Sequence, residues 1–87
     1  MDATWAESLR KKLDEHYIWP ALYTFKFIVP KGKEEEVKRL FPLHESTERH
    51  SKNGNYTSVT IQMMMPGSDA VIDIYRAASG IEGIIAL

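Results

Sequence analysis

The fold is decided by the stretch Lys52-Asn53-Gly54-Asn55-Tyr56-Thr57-Ser58-Val59-Thr60-Ile61, in which a turn signal runs directly into an alternating strand. The pair Asn53-Gly54 is typical of a tight hairpin turn, which needs two positive φ values. Beyond the turn, polar and apolar side chains alternate from Ser58 to Met63, so one face of the strand is predicted to be dry and the other wetter. The stretch therefore predicts a hairpin whose second strand belongs to a half-buried sheet.

Length and composition limit the class of protein. The chain has 87 residues, the size of one domain with one layered core. Its formal charge of −1 lacks the basic excess that indicates an electrostatic nucleic-acid binder. The sequence contains no cysteine, which excludes a disulfide framework and thiolate chemistry. The segment from Met1 to Trp5 does not have the pattern of a secretory signal, and no apolar run is long enough to cross a membrane, so the expected compartment is the cytoplasm.

Hydrophobic periodicity predicts a helix near the N-terminus and six further elements. Apolar residues recur at helical spacing from Trp5 to Tyr17, which indicates an amphipathic helix ending near His16. The elements that follow are a strand at 22–29, a short helix at 34–41, an exposed strand at 44–51, a strand at 56–65, a helix beginning at Ser68 and a strand at 81–87.

This order predicts a ferredoxin-like βαββαβ sandwich, an α+β fold with a four-stranded antiparallel sheet, preceded by an extra N-terminal amphipathic helix. Residues 1–18 are assigned to the N-terminal helix and residues 19–87 to the ferredoxin-like domain. The first and third strands should be central because they alone have continuous apolar faces, and the second and fourth should be edges. Both helices of the domain should pack on one side of the sheet, over Phe27.

The other side of the sheet is predicted to have an apolar centre formed by Ile28, Met64, Ile84 and Ala86. An exposed apolar surface of this kind is usually covered or used for binding. We expect either the N-terminal helix or a second copy of the chain to cover it.

Several short motifs are similar to those of a known family. They are Trp19-Pro20, Tyr23-Thr24-Phe25-Lys26-Phe27, Gly54-Asn55-Tyr56, Ser58-Val59-Thr60, Ile74-Tyr75 and the apolar C-terminal residues ending at Leu87. In these motifs the chain resembles the YbeD-like family of small, uncharacterised bacterial proteins. The resemblance implies a ferredoxin-like fold similar to ACT-type regulatory domains and no established activity. The chain departs from the family pattern at Asn53, where lysine is usual, and at Ile28-Val29-Pro30, where methionine-glycine often follows the first strand.

Two groups of residues are candidates for binding. Lys31, Gly32 and Lys33 open a helix and form a candidate effector loop, because backbone N–H groups at that position bind anions. The three glutamates at 34–36 occupy the same positive helix end and would repel a phosphate. The second group lies on the side of the sheet away from the helices and consists of Lys26, Tyr56, Thr60 and Met64.

No residue pattern indicates catalysis, a metal or a cofactor. His16, His44 and His50 lack the spacing of a zinc site. Ser58 and Thr60 beside Lys26 lack the orienting group and oxyanion donors that a nucleophile needs. The sequence therefore predicts a non-catalytic, ACT-like regulatory or protein-interaction module that binds a small effector or a partner protein, with a homodimer as one form of partner. The alternatives are a small enzyme or metal-binding protein on the same fold and, more weakly, a nucleic-acid-binding sheet.

Overall fold

A computed structural model describes residues 3–87 and contains seven elements in the predicted order. The helices are α1 (Ala3–His16), α2 (Glu34–Lys38) and α3 (Ser68–Ala78). The strands are β1 (Ala21–Pro30), β2 (Thr47–His50), β3 (Tyr56–Met65) and β4 (Ile85–Ala86).

The four strands form one antiparallel sheet in the order β2-β3-β1-β4. Strands β1 and β3 pair over their full length, from Ala21 opposite Met65 to Pro30 opposite Tyr56. This register places Phe27 opposite Val59 on the helix side, where both are fully buried. The predicted central and edge strands are therefore confirmed, as is the ferredoxin-like α+β fold.

The hairpin between β2 and β3 is wider than predicted. Gly54 has a φ of 74°. Among the described residues, only glycines have a positive φ, so Asn53 does not form the expected two-residue turn with Gly54. The Ser51 N–H donates to the Tyr56 carbonyl at 2.8 Å, and the Tyr56 N–H donates to the Ser51 hydroxyl at 3.1 Å. These bonds close the ladder before Lys52, and the four residues from Lys52 to Asn55 form the loop, which removes the need for a second positive φ.

The last strand is shorter than predicted, and its faces are reversed. Ile81 is buried and its carbonyl accepts from the Ile84 N–H at 3.3 Å, so the chain turns where a strand was expected. Ile85 then pairs with Ile28 and shares its side of the sheet, whereas Ala86 pairs with Phe27. The assignment of Ile84 and Ala86 to the face away from the helices was therefore wrong.

Helix α1 packs beside α3, on the same side of the sheet as the other helices. Trp5 meets Tyr75 edge-on with 6.3 Å between ring centroids, and Arg10 Nη2 lies 2.7 Å from Asp69 Oδ1. Leu13 is buried in the common core. Of the two covers expected for the opposite side, a second copy and this helix, the helix was wrong, because its apolar stripe packs on an aromatic surface of α3.

Candidate functional site

The side of the sheet turned away from the three helices has no covering element within residues 3–87, and we call it the open face. Strand pairing identifies its residues, because partners directly opposite each other share a side of the sheet. They are Leu22, Thr24, Lys26, Ile28 and Pro30 of β1, Thr47 and Arg49 of β2, Tyr56, Ser58, Thr60, Gln62 and Met64 of β3, and Ile85 of β4.

Apolar side chains on the open face are exposed in cross-strand pairs. Leu22 lies opposite Met64, and the two are 55% and 57% exposed. Ile28 lies opposite Ile85, which is 52% exposed. Because apolar surface is costly to leave in water, these pairs make the open face the candidate functional surface of the described residues.

The only charged strand residues on the open face are Lys26 and Arg49. Neither forms an ion pair with a residue that the structure describes. Away from the open face, other cations do form ion pairs: Arg10 lies 2.7 Å from Asp69, and Lys33 lies 3.1 Å from Glu36. One acidic residue, Glu45, lies at the rim, in the loop before β2. The open face therefore combines exposed apolar and uncharged polar side chains with a positive charge.

The four residues of the second candidate binding group, Lys26, Tyr56, Thr60 and Met64, all lie on the open face, but only two of them meet. Lys26 and Thr60 lie opposite each other near its centre. Tyr56 and Met64 are eight positions apart on β3, a separation of about 26 Å at ~3.3 Å per residue. Tyr56 lines a depression of about 170 Å³ together with Ile28 and Arg49. The four residues form parts of one broad surface and not a single pocket.

Sequence reasoning missed several residues of the open face, among them Arg49, Ile85 and Leu22. Arg49 lies in β2, which has no apolar alternation from which its side could be read. Ile85 was missed because β4 begins later than predicted, which exchanges its two sides. Leu22 could have been found, since it has the same parity as Thr24 and Lys26 along β1.

The candidate effector loop between β1 and α2 is occupied by contacts within the chain. The Gly32 N–H donates to Glu34 Oε1 at 2.6 Å, and Lys33 Nζ lies 3.1 Å from Glu36 Oε2. The Lys31 N–H donates to the Asn55 carbonyl at 3.0 Å. An anion bound here would have to displace a carboxylate from Gly32, so the geometry does not favour a phosphate at this loop.

Glu34 also connects this loop to the hairpin. The Thr57 hydroxyl, which is fully buried, donates to Glu34 Oε2 at 3.0 Å and lies 3.0 Å from His50 Nδ1. Because that hydroxyl has one proton, the ring N–H of His50 donates to its oxygen. The backbone N–H of Glu34, the Thr57 hydroxyl, the Gly32 N–H and the nearby His50 together hold the pKa of the Glu34 carboxyl below its usual range. The network joins three segments of the chain: the loop that begins α2, the end of β2 and the start of β3.

Titratable groups elsewhere do not form a reactive cluster. Tyr75 lies in the core, where burial and the Tyr23 hydroxyl, 2.9 Å away, raise its pKa. The hydroxyl therefore stays protonated and does not act as a base at neutral pH. Within residues 3–87, no group of three His, Cys, Asp or Glu side chains could hold a metal ion. Over the same residues, no helix combines the length and apolar character needed to span a bilayer.

The fold and the open face together define a small ferredoxin-like α+β domain with an uncovered sheet surface. The family model described as a protein of unknown function (DUF493) matches residues 14–87. The chain belongs to this family, which is the YbeD-like family whose motifs its sequence resembles. A search of curated proteins found no match, and a search of solved structures also found none.

Proposed function

We propose that this protein is a non-catalytic, ACT-like module of the cytoplasm that regulates or assembles with a partner protein through the open face. The observation that carries the proposal is the exposure of paired apolar side chains on an otherwise well-packed sheet. Leu22, Met64 and Ile85 are each more than half exposed, whereas Phe27, Val59 and Ile61 on the other side of β1 and β3 are buried. A partner that buries these side chains gains about 25 cal/mol for each Å² of apolar surface removed from water.

Charge indicates what kind of partner fits the open face. Lys26 and Arg49 have no carboxylate partners within the described residues, so a surface that combines carboxylates with apolar residues is complementary to the open face. A second copy is less complementary. A twofold axis through the centre of the face would bring the two copies of Lys26 together, and like charges placed close together are unfavourable.

Nucleic acid fits this face less well than a protein. Sheets that bind single-stranded RNA stack bases on aromatic side chains of the central strands. The open face has one aromatic residue, Tyr56, at the end of β3, and Lys26 and Thr60 occupy the centre. Two cations also neutralise few phosphates.

Site-specific photo-crosslinking in the cells that produce the protein tests the proposal. A photoreactive amino acid replaces Met64 on the open face, and a control carries it at Ala77, which is exposed on α3. We expect a covalent adduct with a heterologous acidic protein at Met64 and none at Ala77. The double charge reversal Lys26→Glu with Arg49→Glu should abolish the adduct.

The matched control for charge is Lys11→Glu with Lys52→Glu, which changes net charge equally at two exposed positions off the open face. This control should keep the adduct. An adduct formed only with a second copy of the chain, an adduct with nucleic acid, equal labelling at both positions, or no adduct at Met64 would each contradict the proposal.

A further inference from the structure

Strand β4 covers only part of the outer edge of β1. It pairs with β1 at Phe27 and Ile28, and the Leu87 N–H extends the contact by donating to the Lys26 carbonyl at 2.9 Å. Within residues 3–87, no strand lies beside Ala21–Phe25 on that side, although β3 pairs with the same residues on the other. This half of β1 is therefore a free sheet edge.

The backbone groups of Leu22 and Thr24 point out of this free edge. In antiparallel pairing, the N–H and C=O of one residue face the same neighbouring strand, and successive residues alternate. The N–H of Lys31, the residue after β1, donates towards β3, so odd-numbered residues of β1 face β3. The Lys26 carbonyl accepts from the β4 side, so even-numbered residues face the opposite way. Leu22 and Thr24 thus present donors and acceptors at the spacing of another strand.

An apolar groove of about 250 Å³ lies beside this edge, on the helix side of the sheet, and we call it the edge groove. Tyr23 and Tyr75 meet in it, with their hydroxyl oxygens 2.9 Å apart. Helix α1 forms its other side. A side chain that enters from the edge therefore meets aromatic and aliphatic carbon. The lining residues are Trp5, Leu9, Tyr23, Tyr75, Ala86 and Leu87.

The charges beside the free edge are positive. Lys26 lies next to it on the open face, and Lys12 of α1 lines a depression that shares Trp5 and Leu9 with the edge groove. Neither lysine forms an ion pair with a described residue, and no acidic side chain lines either depression. A segment with carboxylates on each side of an apolar residue is therefore complementary to this edge.

We propose that the free edge of β1 binds an extended, acidic segment of a partner protein as a fifth strand. The segment runs antiparallel to β1, as β4 does, and pairs its backbone with Leu22 and Thr24. The residue opposite Tyr23 places an apolar side chain in the edge groove. The residue opposite Thr24 points to the open face, where its carboxylate lies diagonally beside Lys26. If β1 of a second copy paired with this edge, the residue opposite Thr24 would be a leucine or a threonine, which has no carboxylate to place beside Lys26.

A random peptide library displayed on phage, selected against the whole protein, supplies the probe. We expect the selected peptides to alternate apolar and acidic residues. Titration of a selected peptide into nitrogen-15-labelled protein should move the amide signals of Leu22 and Thr24 and the indole signal of Trp5 more than other signals. Because the contact uses backbone groups, the choice of apolar residue should matter less than the alternation.

Variants at Thr24 separate backbone pairing from side-chain contact. Thr24→Pro removes the outward N–H and should weaken binding about tenfold, whereas Thr24→Val keeps that N–H and should bind like the parent. Proline also restrains β1, so the matching change is made in the peptide. N-methylation of the residue opposite Thr24 should weaken binding about tenfold. N-methylation of the groove residue, whose N–H points away from β1, should leave binding unchanged.

Several results overturn this proposal. Equal binding of the two methylated peptides does so, since backbone pairing would then have no role. A selection that yields no peptide would also overturn it. So would peptides that shift only the amide signals of open-face residues such as Ser58. Light scattering that shows a dimer converted to monomer by Thr24→Pro would assign the edge to a second copy. The two sites share Lys26, but the docking surface uses side chains of the open face, whereas the free edge uses backbone groups of β1 and the edge groove. Crosslinking at Met64 and the effect of N-methylation opposite Thr24 therefore distinguish failure of one proposal from failure of the other.

Discussion

At the scale of single residues, Gly83 shows how one missing side chain permits the close approach of two segments. Its φ is 76°, and a Cβ built on it would lie 2.7 Å from Cγ of Pro30. We expect Gly83→Ala to lower the free energy of unfolding by about 2–4 kcal/mol, because strained backbone and a clash with a rigid ring add together.

Gly54→Ala is the matched control, because Gly54 has a similar φ of 74° and no heavy atom within 4 Å of the added carbon. It should cost about 1–2 kcal/mol from backbone strain alone. Urea denaturation of both variants measures the difference. Equal losses would show that the contact with Pro30 relaxes without cost.

The Glu34 carboxyl should make the stability of the fold depend on pH. Its pKa is lowered in the folded protein, so its contribution is complete above the unfolded value of about 4.3 and is lost as the pH falls through the folded value. Glu34→Gln should therefore lower stability by about 0.5–1.5 kcal/mol at pH 7 and by less at pH 3. Glu45→Gln, at an exposed residue that forms no ion pair among the described residues, should show neither effect. A loss of equal size for Glu34→Gln at both pH values would contradict this account.

The sequence predicted the negative charge at the start of α2 but not its partner. Glu34 and Thr57 are 23 positions apart, and no local pattern connects a helix start to a strand end. The two residues meet because β1 and β3 pair in full register, so Thr57 lies opposite Val29, close to the loop that begins α2. Contacts of this kind depend on the pairing of distant segments, which periodicity does not report.

At the scale of elements, helix α1 is part of the core and not an appendage. Leu13 is 5% exposed and lies in the same cluster as the sheet residues. Leu13→Ala should lower the free energy of unfolding by about 2–5 kcal/mol through lost burial and the cavity left behind. Leu22→Ala, on the open face, should change it by no more than about 0.5 kcal/mol. Urea denaturation of the two variants tests this, and equal losses would show that α1 docks weakly.

The elements differ in how well the sequence predicted them. The bounds of β3 were predicted as they stand, because polar and apolar residues alternate from Ser58 to Met63 and the turn signals Asn53-Gly54 and Pro66-Gly67 flank the strand. The C-terminal segment was misassigned because Ile81, Ile84 and Ile85 are all apolar. Apolar residues at that spacing do not distinguish a strand from a turn that buries one isoleucine.

At the scale of the whole molecule, one core supports the three helices and the sheet. Phe27 is fully buried in it, within ring-contact distance of Phe25, Phe41 and Tyr75. Phe27→Ala should lower the free energy of unfolding by about 3–5 kcal/mol. That is a large part of the ~4–13 kcal/mol expected for a chain of this length. Lys26→Ala is the control on the opposite side of the sheet. A loss below about 1 kcal/mol for Phe27→Ala would contradict the observed register.

The overall topology was predictable, whereas the position of α1 was not. The order of elements and the right-handed crossover rule leave few arrangements, and the observed sheet is the expected one. Trp5, Leu9 and Leu13 show that α1 has an apolar stripe, but a stripe does not specify which apolar surface it meets. For the candidate site, the sequence predicted which side of the sheet Lys26 and Thr60 lie on. It did not predict the residues that β2 and β4 contribute, because the sequence patterns of these two strands are weak.

The partial cover of β1 by β4 has a consequence for the lifetimes of its amide protons. Tyr23 and Phe25 donate to β3, while the N–H groups of Leu22 and Thr24 meet water at the free edge. In heavy water, followed by NMR, the signals of Tyr23 and Phe25 should persist long after those of Leu22 and Thr24 have vanished. Uniform persistence across the four would contradict the pairing. If the pairing is as described, slowly and rapidly exchanging amide protons alternate along this half of β1, although β1 is a central strand of the sheet.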